Sequence, residues 1–297
     1  MSSTSEVGEF LRSRRSALTP EQVGLSRRGR RKVAGLRREE VAALAGVSTD
    51  YYTRLEQGRV RTASRSVLEA LADALRLDNA ERTYLLNLAA TDASVRTRRG
   101  SDQRDVSPRL QRMIDGFVNQ PAFVLGRRQA FVAGNHLVSA LLTDFRAFAE
   151  RERNLLRWIV LDPAARDLYL DWAEIAADVT GVLRAEAARY PNDPTTTQLV
   201  GELAMKSAEF RQWWADRAVR DRTSGTKRFL HPVVGRVDIE WAAFPVPDNP
   251  DQTLFVYTAL TDRDADALRT LASWAATSHT DEGDRQPQDE PKPLKRA

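Results

Sequence analysis

The sequence predicts two domains, an all-α unit of five short helices followed by an α+β unit, and three observations predict it. Its 297 residues exceed the roughly 100–200 of a single domain. Apolar residues recur at helical spacing from about residue 5 to about residue 90, whereas toward the far end the period changes from 3.6 to two. Basic residues gather at the front: residues 1–100 hold 19 Lys/Arg against 12 Asp/Glu, and residues 101–297 hold 26 against 29. Such a sign change points to a polyanion partner for the first part, because neutralising phosphates releases condensed counterions.

The composition, 42% hydrophobic and 29% charged, is that of a chain that folds without staples. With no cysteine at all, disulfides, thiol nucleophiles and thiolate metal sites are excluded, and a reducing cytoplasm is the expected location. No stretch approaches the ~18 apolar residues of a membrane helix. The chain opens on Ser2, Ser3 and Thr4 rather than on a basic and then apolar signal.

Val7, Phe10 and Leu11 set a first helix from about Ser5 to Ser16, ended by Thr19-Pro20. Gly24 to Gly35 reads as a loop carrying Arg27, Arg28, Arg30, Arg31 and Lys32, either a solvated charge run or a phosphate contact. From Arg37, residues Val41, Ala42, Leu44 and Ala45 make a short amphipathic helix that Gly46 ends. Ser48 caps the next helix, which turns Tyr52 and Leu55 inward and stops at Gly58. Ser64 caps a fourth helix with a Val67, Leu68, Leu71, Ala72, Leu75 stripe, and Asn79 a fifth with Tyr84, Leu85 and Leu88 inward. Residues 1–91 therefore form the first domain and the polar segment 92–107 a linker.

In the second domain, 108–276, a helix over Pro108–Phe117 precedes short strands at Pro121–Leu125 and Ala130–Ala133. Leu137–Phe148, Asn154–Ile159, Ala164–Arg189 and Thr197–Arg217 carry the helical period. Lys227–His231, Gly235–Phe244 and Gln252–Leu260 read as hairpin-linked strands, closed by a helix over Asp264–Ala276. Strands flanking a helical middle imply a mostly antiparallel sheet. Residues 277–297, charged and proline-rich, are expected to be a disordered tail.

The run from Arg37 to Gly58 resembles the Cro/repressor, or Xre-type, helix-turn-helix, through Ala42, Gly46, Val47, Ser48, Tyr52, Leu55, Glu56 and Gly58. The resemblance implies a Cro/repressor-like domain whose second motif helix lies in the major groove of double-stranded DNA. Thr49, Asp50, Thr53 and Arg54 would then face base edges, with Arg54 suited to guanine O6/N7. Asp50 reads equally as a charge favoured by the helix dipole. Arg37, Arg38, Ser64, Arg65 and the loop residues Arg30, Arg31 and Lys32 would hold phosphates. A homodimer is expected, because one such head covers a half-site.

From about residue 106 to 276 the chain is similar to the MmyB-type ligand-binding domain of actinobacterial regulators, a PAS-like fold. The similarity rests on Pro121-Ala122-Phe123-Val124, Gly134-Asn135, Asn154 to Trp158, Phe210 to Trp214, Lys227 to Gly235 and Val256-Tyr257. It implies a small apolar, acyl-type effector held non-covalently between sheet and helices. Trp158, Trp172, Trp213, Trp214, Phe229 and Phe255 are material for such a pocket or for a dry core, and His231 for a ligand contact or a satisfied strand end. With His136, His231 and His279 as the only histidines, no metal site and no cofactor are expected. No phosphate loop, dinucleotide fingerprint or nucleophile triad is visible, so catalysis is not expected. The C-terminal domain therefore reads as a metabolite sensor or, alternatively, as a protein-interaction platform without a metabolite.

Overall fold

The computed structural model describes residues 3–25, 35–60, 63–89, 105–191, 193–216, 223–247 and 249–283. Among the described residues the first unit holds the expected five α-helices, α1 (Ser3–Ala17), α2 (Arg38–Leu44), α3 (Thr49–Glu56), α4 (Arg65–Ala74) and α5 (Asn79–Ala89), with a 3-10 turn at Glu21–Val23 after the first. Their apolar stripes meet in one core built on Phe10, Leu11, Leu36, Val41, Tyr52, Leu55, Leu71 and Leu85. Gly46 sits at φ 66°, the left-handed conformation that ends α2, and the Val47 amide bonds back to the Ala42 carbonyl at 3.0 Å. Gly8 lets α1 cross α3 closely, since a Cβ there would lie 2.3 Å from the Glu56 carbonyl oxygen. The cap of α5 is Asp78 rather than the expected Asn79. Asp78 Oδ1 accepts the Glu81 amide at 2.8 Å, and Glu81 Oε2 accepts the Asp78 amide at 3.2 Å, a reciprocal box.

The second unit opens with α6 (Pro108–Asp115), β1 (Ala122–Leu125), β2 (Phe131–Gly134) and α7 (His136–Leu141). It continues through α8 (Leu155–Leu161), α9 (Pro163–Leu168), α10 (Trp172–Arg189), α11 (Pro194–Lys206) and α12 (Ala208–Ala215). It closes with β3 (Ser224–His231), β4 (Gly235–Val246), β5 (Asn249–Ala259) and α13 (Asp262–Gly283). The five strands form one antiparallel sheet in the order β2-β1-β5-β4-β3. Strand β1 is buried on both faces, which is why it reads as a continuous apolar run. Phe123 and Leu125 enter the main core, while Ala122 and Val124 pack under Leu110 and Ile114 of α6.

Three long helical stretches of the sequence are each divided. Leu137–Phe148 becomes α7 and a separate 3-10 turn at Phe145–Ala147, started by Asp144 Oδ1 accepting the Arg146 amide at 3.0 Å. Ala164–Arg189 is broken at Tyr169–Asp171, because the Leu170 amide leaves the helix to bond the Arg228 carbonyl of β3 at 3.0 Å. Thr197–Arg217 is broken at Ser207, whose hydroxyl caps α12 by accepting the Phe210 amide at 3.0 Å. Helix α13 runs to Gly283, beyond the expected end at Ala276 and into the segment expected as a tail; residues 284–297 lie outside the described residues, as do 90–104 of the expected linker. No described helix is long and apolar enough to cross a membrane.

Two buried asparagines and a strained turn lock the β1–β2 hairpin to the helices. Asn135 donates to the Phe117 and Gln120 carbonyls, both at 2.8 Å, and its Oδ1 accepts the Ala122 and Val138 amides at 3.3 and 3.2 Å. Arg128 and Gln129 hold φ 60° and 62° in the turn. That left-handed strain is offset by tethers. Asn154 Nδ2 donates to the Arg128 carbonyl at 2.7 Å, the Arg128 amide to Glu186 at 2.6 Å, and the Arg128 guanidinium to Asp193 at 2.9 Å.

Replacing Asn135 by Ala leaves the Ala122 amide and two carbonyls short of a partner and the Val138 amide with only the main-chain carbonyl of residue 135, so Asn135→Ala should destabilise the C-terminal unit by about 2–4 kcal/mol. A shift of the urea midpoint of the sheet-containing transition measures this, and a change under about 0.5 kcal/mol would remove Asn135 from its anchoring role.

Candidate nucleic-acid interface and apolar core

Helix α3 is positioned by what it buries. Ser48 Oγ accepts the Tyr51 amide at 3.1 Å and starts the helix, and Tyr52 and Leu55 anchor it in the head core. Each such burial contributes roughly 1.5–3 kcal/mol. The third anchor is ionic. The Glu56 side chain is fully buried and accepts from Arg15 Nη2 at 2.8 Å and from Arg38 Nε at 2.7 Å, with Arg12 Nε at 3.4 Å. One carboxylate thus gathers side chains from α1, α2 and α3. Burial pushes the Glu56 carboxyl upward, but the hydrogen bonds and charges of Arg15 and Arg38 outweigh it and hold the group below its ordinary value. The Glu-x-Gly ending at Gly58 was visible in the sequence, whereas Arg15 stands 41 residues from its partner, a pairing no local pattern reveals.

With that side buried, Thr49, Asp50 and Arg54 are exposed together and Thr53 is half-buried beside them. The Thr53 hydroxyl donates to the Thr49 carbonyl at 2.7 Å, back along its own helix. Arg54 and Asp50 form a loose pair at 3.9 Å, so Asp50 has an intrahelical partner as well as a place at the helix start. Arg38 is half-exposed and shares its guanidinium with Glu56. Arg37 pairs with Glu39 at 3.3 Å while its amide donates to Glu40 at 2.7 Å. Ser64 caps α4 through the Val67 amide at 3.3 Å, and the highly exposed Arg65 pairs with Glu69 at 3.1 Å. Arg30, Arg31 and Lys32 lie outside the described residues.

In the second unit, aromatic rings line the space between sheet and helices. Phe131 stacks on Phe145 at 4.5 Å between centroids, Phe145 meets Trp158 edge-on at 5.8 Å, Trp158 meets Tyr169 at 6.1 Å, and Tyr169 meets Phe229 at 5.0 Å. Phe255 stacks on Phe123 at 5.3 Å. Trp172 joins this core, donating its indole N–H to the Ile159 carbonyl at 2.7 Å, with Trp213 against its ring at 5.5 Å. Trp214 stands apart, stacked on Phe210 at 5.7 Å in a second cluster. His231 is a satisfied strand end. Its Nδ1 accepts the Val233 amide at 3.2 Å, so Nε2 carries the proton and donates to the Ala140 carbonyl at 2.9 Å. A cavity of about 470 Å³ opens beside this core, lined by Phe148, Arg157, Trp158, Leu161 and Lys206 among others; Trp158 is the one sequence-proposed pocket residue that lines it.

The core also holds a buried cation that sequence reasoning passed over. Lys227 is 7% exposed, donates to the Tyr257 hydroxyl at 2.8 Å, and lies 5.1–5.9 Å from the ring centres of Tyr257, Trp241 and Tyr169. Burial pushes its ammonium down to about 8, and the Asp178 charge offsets this only in part. Two further donors around the Tyr169 ring, the Trp158 indole N–H and the Tyr169 hydroxyl, are buried without a partner. In β3 the buried positions alternate, Lys227, Phe229 and His231, so strand parity alone turns the lysine inward.

Two family models match the chain: a helix-turn-helix domain over residues 6–85, and the MmyB-like transcription regulator ligand binding domain over residues 106–271. No curated protein matches at a significant level.

Because the buried Glu56 carboxylate is the shared partner of three arginines, Glu56→Gln should cost the head about 2–4 kcal/mol. The folded carboxyl is depressed, so its contribution is complete above the ordinary glutamate value and is lost as pH falls through the folded one. Melting between about pH 5 and 3 should therefore show a steep loss in the native chain that the Gln variant lacks, and parallel curves would refute the assignment.

Proposed function

The chain belongs to the MmyB-like transcription regulator family, and from that premise we propose that it acts as a homodimer whose two heads lay α3 in successive major grooves while each C-terminal core holds a small apolar, fatty-acyl-type effector. Its role as a DNA-binding transcription regulator with a ligand-binding domain is supported by the two matched domains together. We read it as a non-enzyme that senses rather than transforms its ligand.

For the head, the supporting observation is the exposed row Thr49, Asp50 and Arg54, backed by a helix that Tyr52, Leu55 and Glu56 hold rigidly. Arg54 reads guanine, and Arg37, Arg38, Ser64 and Arg65 hold phosphates. For the effector, the carrying observation is an imbalance. Around Tyr169 the core offers the Trp158 N–H and the Tyr169 O–H, both buried without a partner, beside the buried Lys227 ammonium, which donates to the Tyr257 hydroxyl and whose desolvation the Asp178 charge offsets only in part. Unused donors in a low-dielectric, ring-lined space suit a ligand with an apolar body and an acceptor-bearing head.

Selection of bound fragments from random duplex DNA tests the head. Arg54→Ala should lose about 1–3 kcal/mol of discrimination at one base position, whereas Arg65→Ala should weaken all sequences alike and reduce the salt slope by about one. Equal losses on every sequence for Arg54→Ala would sink its base-reading role.

Lys227→Met separates a ligand-reading lysine from a structural one. Removing a buried charge whose desolvation its neighbours offset only in part should leave the ligand-free chain about as stable at neutral pH. It should also abolish a rise in stability between about pH 8 and 10, because the folded lysine binds fewer protons than the unfolded one in that window. Calorimetric affinity for dodecanoate should fall at least about tenfold, the loss of one charge-assisted contact. A destabilised variant with unchanged dodecanoate affinity would assign Lys227 to the fold instead.

A further inference from the structure

Helix α10 belongs to both units. Ala176 and Val179 lie in the C-terminal core, and two turns later Ala185 and Ala188 pack into the head core against α5. Between them Arg184 is 4% exposed, sandwiched by the two units. Its guanidinium lies 4.1 Å above the Trp214 ring of α12 on one side and engages the Tyr84 hydroxyl of α5 on the other. Its Nε and Nη2 have no partner. A second tether joins the units at the end of α12, where Ser13 Oγ and Arg14 Nη2 of α1 donate to the Asp216 carbonyl at 3.1 and 3.2 Å.

This seam differs from both cores it joins. From the C-terminal unit α10 gives it only the two alanines as apolar side chains, and its centre is a desolvated cation whose Nε and Nη2 are left unanswered. A contact centred on a buried cation with unanswered donors opens at lower cost than either apolar core. It leaves the outer face of α3 uncovered, so it does not block the groove-facing residues. What it does is fix the direction in which the head presents that face, and a head already oriented loses less freedom on binding.

We propose that the α5–α10 seam is a releasable dock pinned by Arg184, and that its closed form is the one that holds DNA. The inference rests on the reading of the chain as a DNA-binding regulator and adds where its affinity is set. The same helix carries Asp178 toward Lys227 and Glu186 to the β1–β2 turn, so a change in the C-terminal core has a rigid path to the dock.

The cysteine-free chain suits a direct test. Nitroxide labels on Asp73→Cys in α4 and Gln212→Cys in α12, both exposed positions, report the distance between units by pulsed electron paramagnetic resonance in the full-length protein. The labelled parent should give one narrow distribution. Adding Arg184→Ala should broaden it at least twofold and weaken binding to a random-sequence duplex library at least fivefold, with the salt slope unchanged because the phosphate contacts are untouched. Ala188→Glu, which breaks the same seam by another route, should do the same, and circular dichroism establishes that each variant is folded. An unchanged distribution in both folded variants overturns the dock. Broadening with unchanged or tighter DNA binding overturns its role in holding DNA. A labelled parent that binds no duplex at all instead refutes the DNA-binding reading, while the distance distributions still report on the dock.

Discussion

The arrangement of the head depends on one buried carboxylate. Glu56 is the last residue of α3, and a desolvated charge at that point is tolerable only because Arg15 and Arg38 reach it with charge-assisted bonds. Those bonds fix α3 against α1 and α2 from the inside, and Gly8 brings the helices close enough for them to form. The outward row of α3 is therefore oriented by an ion cluster behind it as much as by apolar packing. It also gives Arg38 two surfaces to serve, one inward at Glu56 and one toward solvent.

How much of this was legible follows the range of each interaction. The helix-turn-helix was readable because its determinants are local: the Ser48 cap, the left-handed Gly46 and the inward Tyr52 and Leu55 all fall within a few residues of one another. The sheet was readable through its period-two alternation and hairpin turns. The helix breaks were not, since what ends a helix at Tyr169 is the bond from the Leu170 amide to the Arg228 carbonyl of β3, far along the chain. Ser207 illustrates the intermediate case. Its capping chemistry is local, yet apolar periodicity on both sides hides it. Asn79 and Asp78 compete for one cap, and the reciprocal bond from Glu81 decides for Asp78.

The sites divide in the same way. The exposed positions of α3 follow from the buried ones, because a helix that hides Tyr52 and Leu55 must present Thr49, Asp50 and Arg54 elsewhere. The aromatic residues of the second unit were recognisable as interior but not as partners, and the structure separates Trp214 from the ring cluster around Tyr169. Lys227 escaped notice because a lysine in a strand is ordinarily an edge or surface residue. Its inward parity with Phe229 was the available signal, and the unpartnered donors beside it could be found only in three dimensions.

Glu81 shows how closely fold and communication are interwoven. One oxygen closes the cap of α5 at the Asp78 amide; the other accepts Arg14 Nη1 at 2.8 Å, and the remaining arm of that arginine reaches Asp216 in the neighbouring unit. A lesion at this acid therefore strikes two phenotypes at once, fraying a helix start and loosening the hold between the units. Genetic screens for altered control would recover it among alleles that also lower protein abundance, and only an allele such as Arg14→Lys, which spares the cap, would separate the two traits.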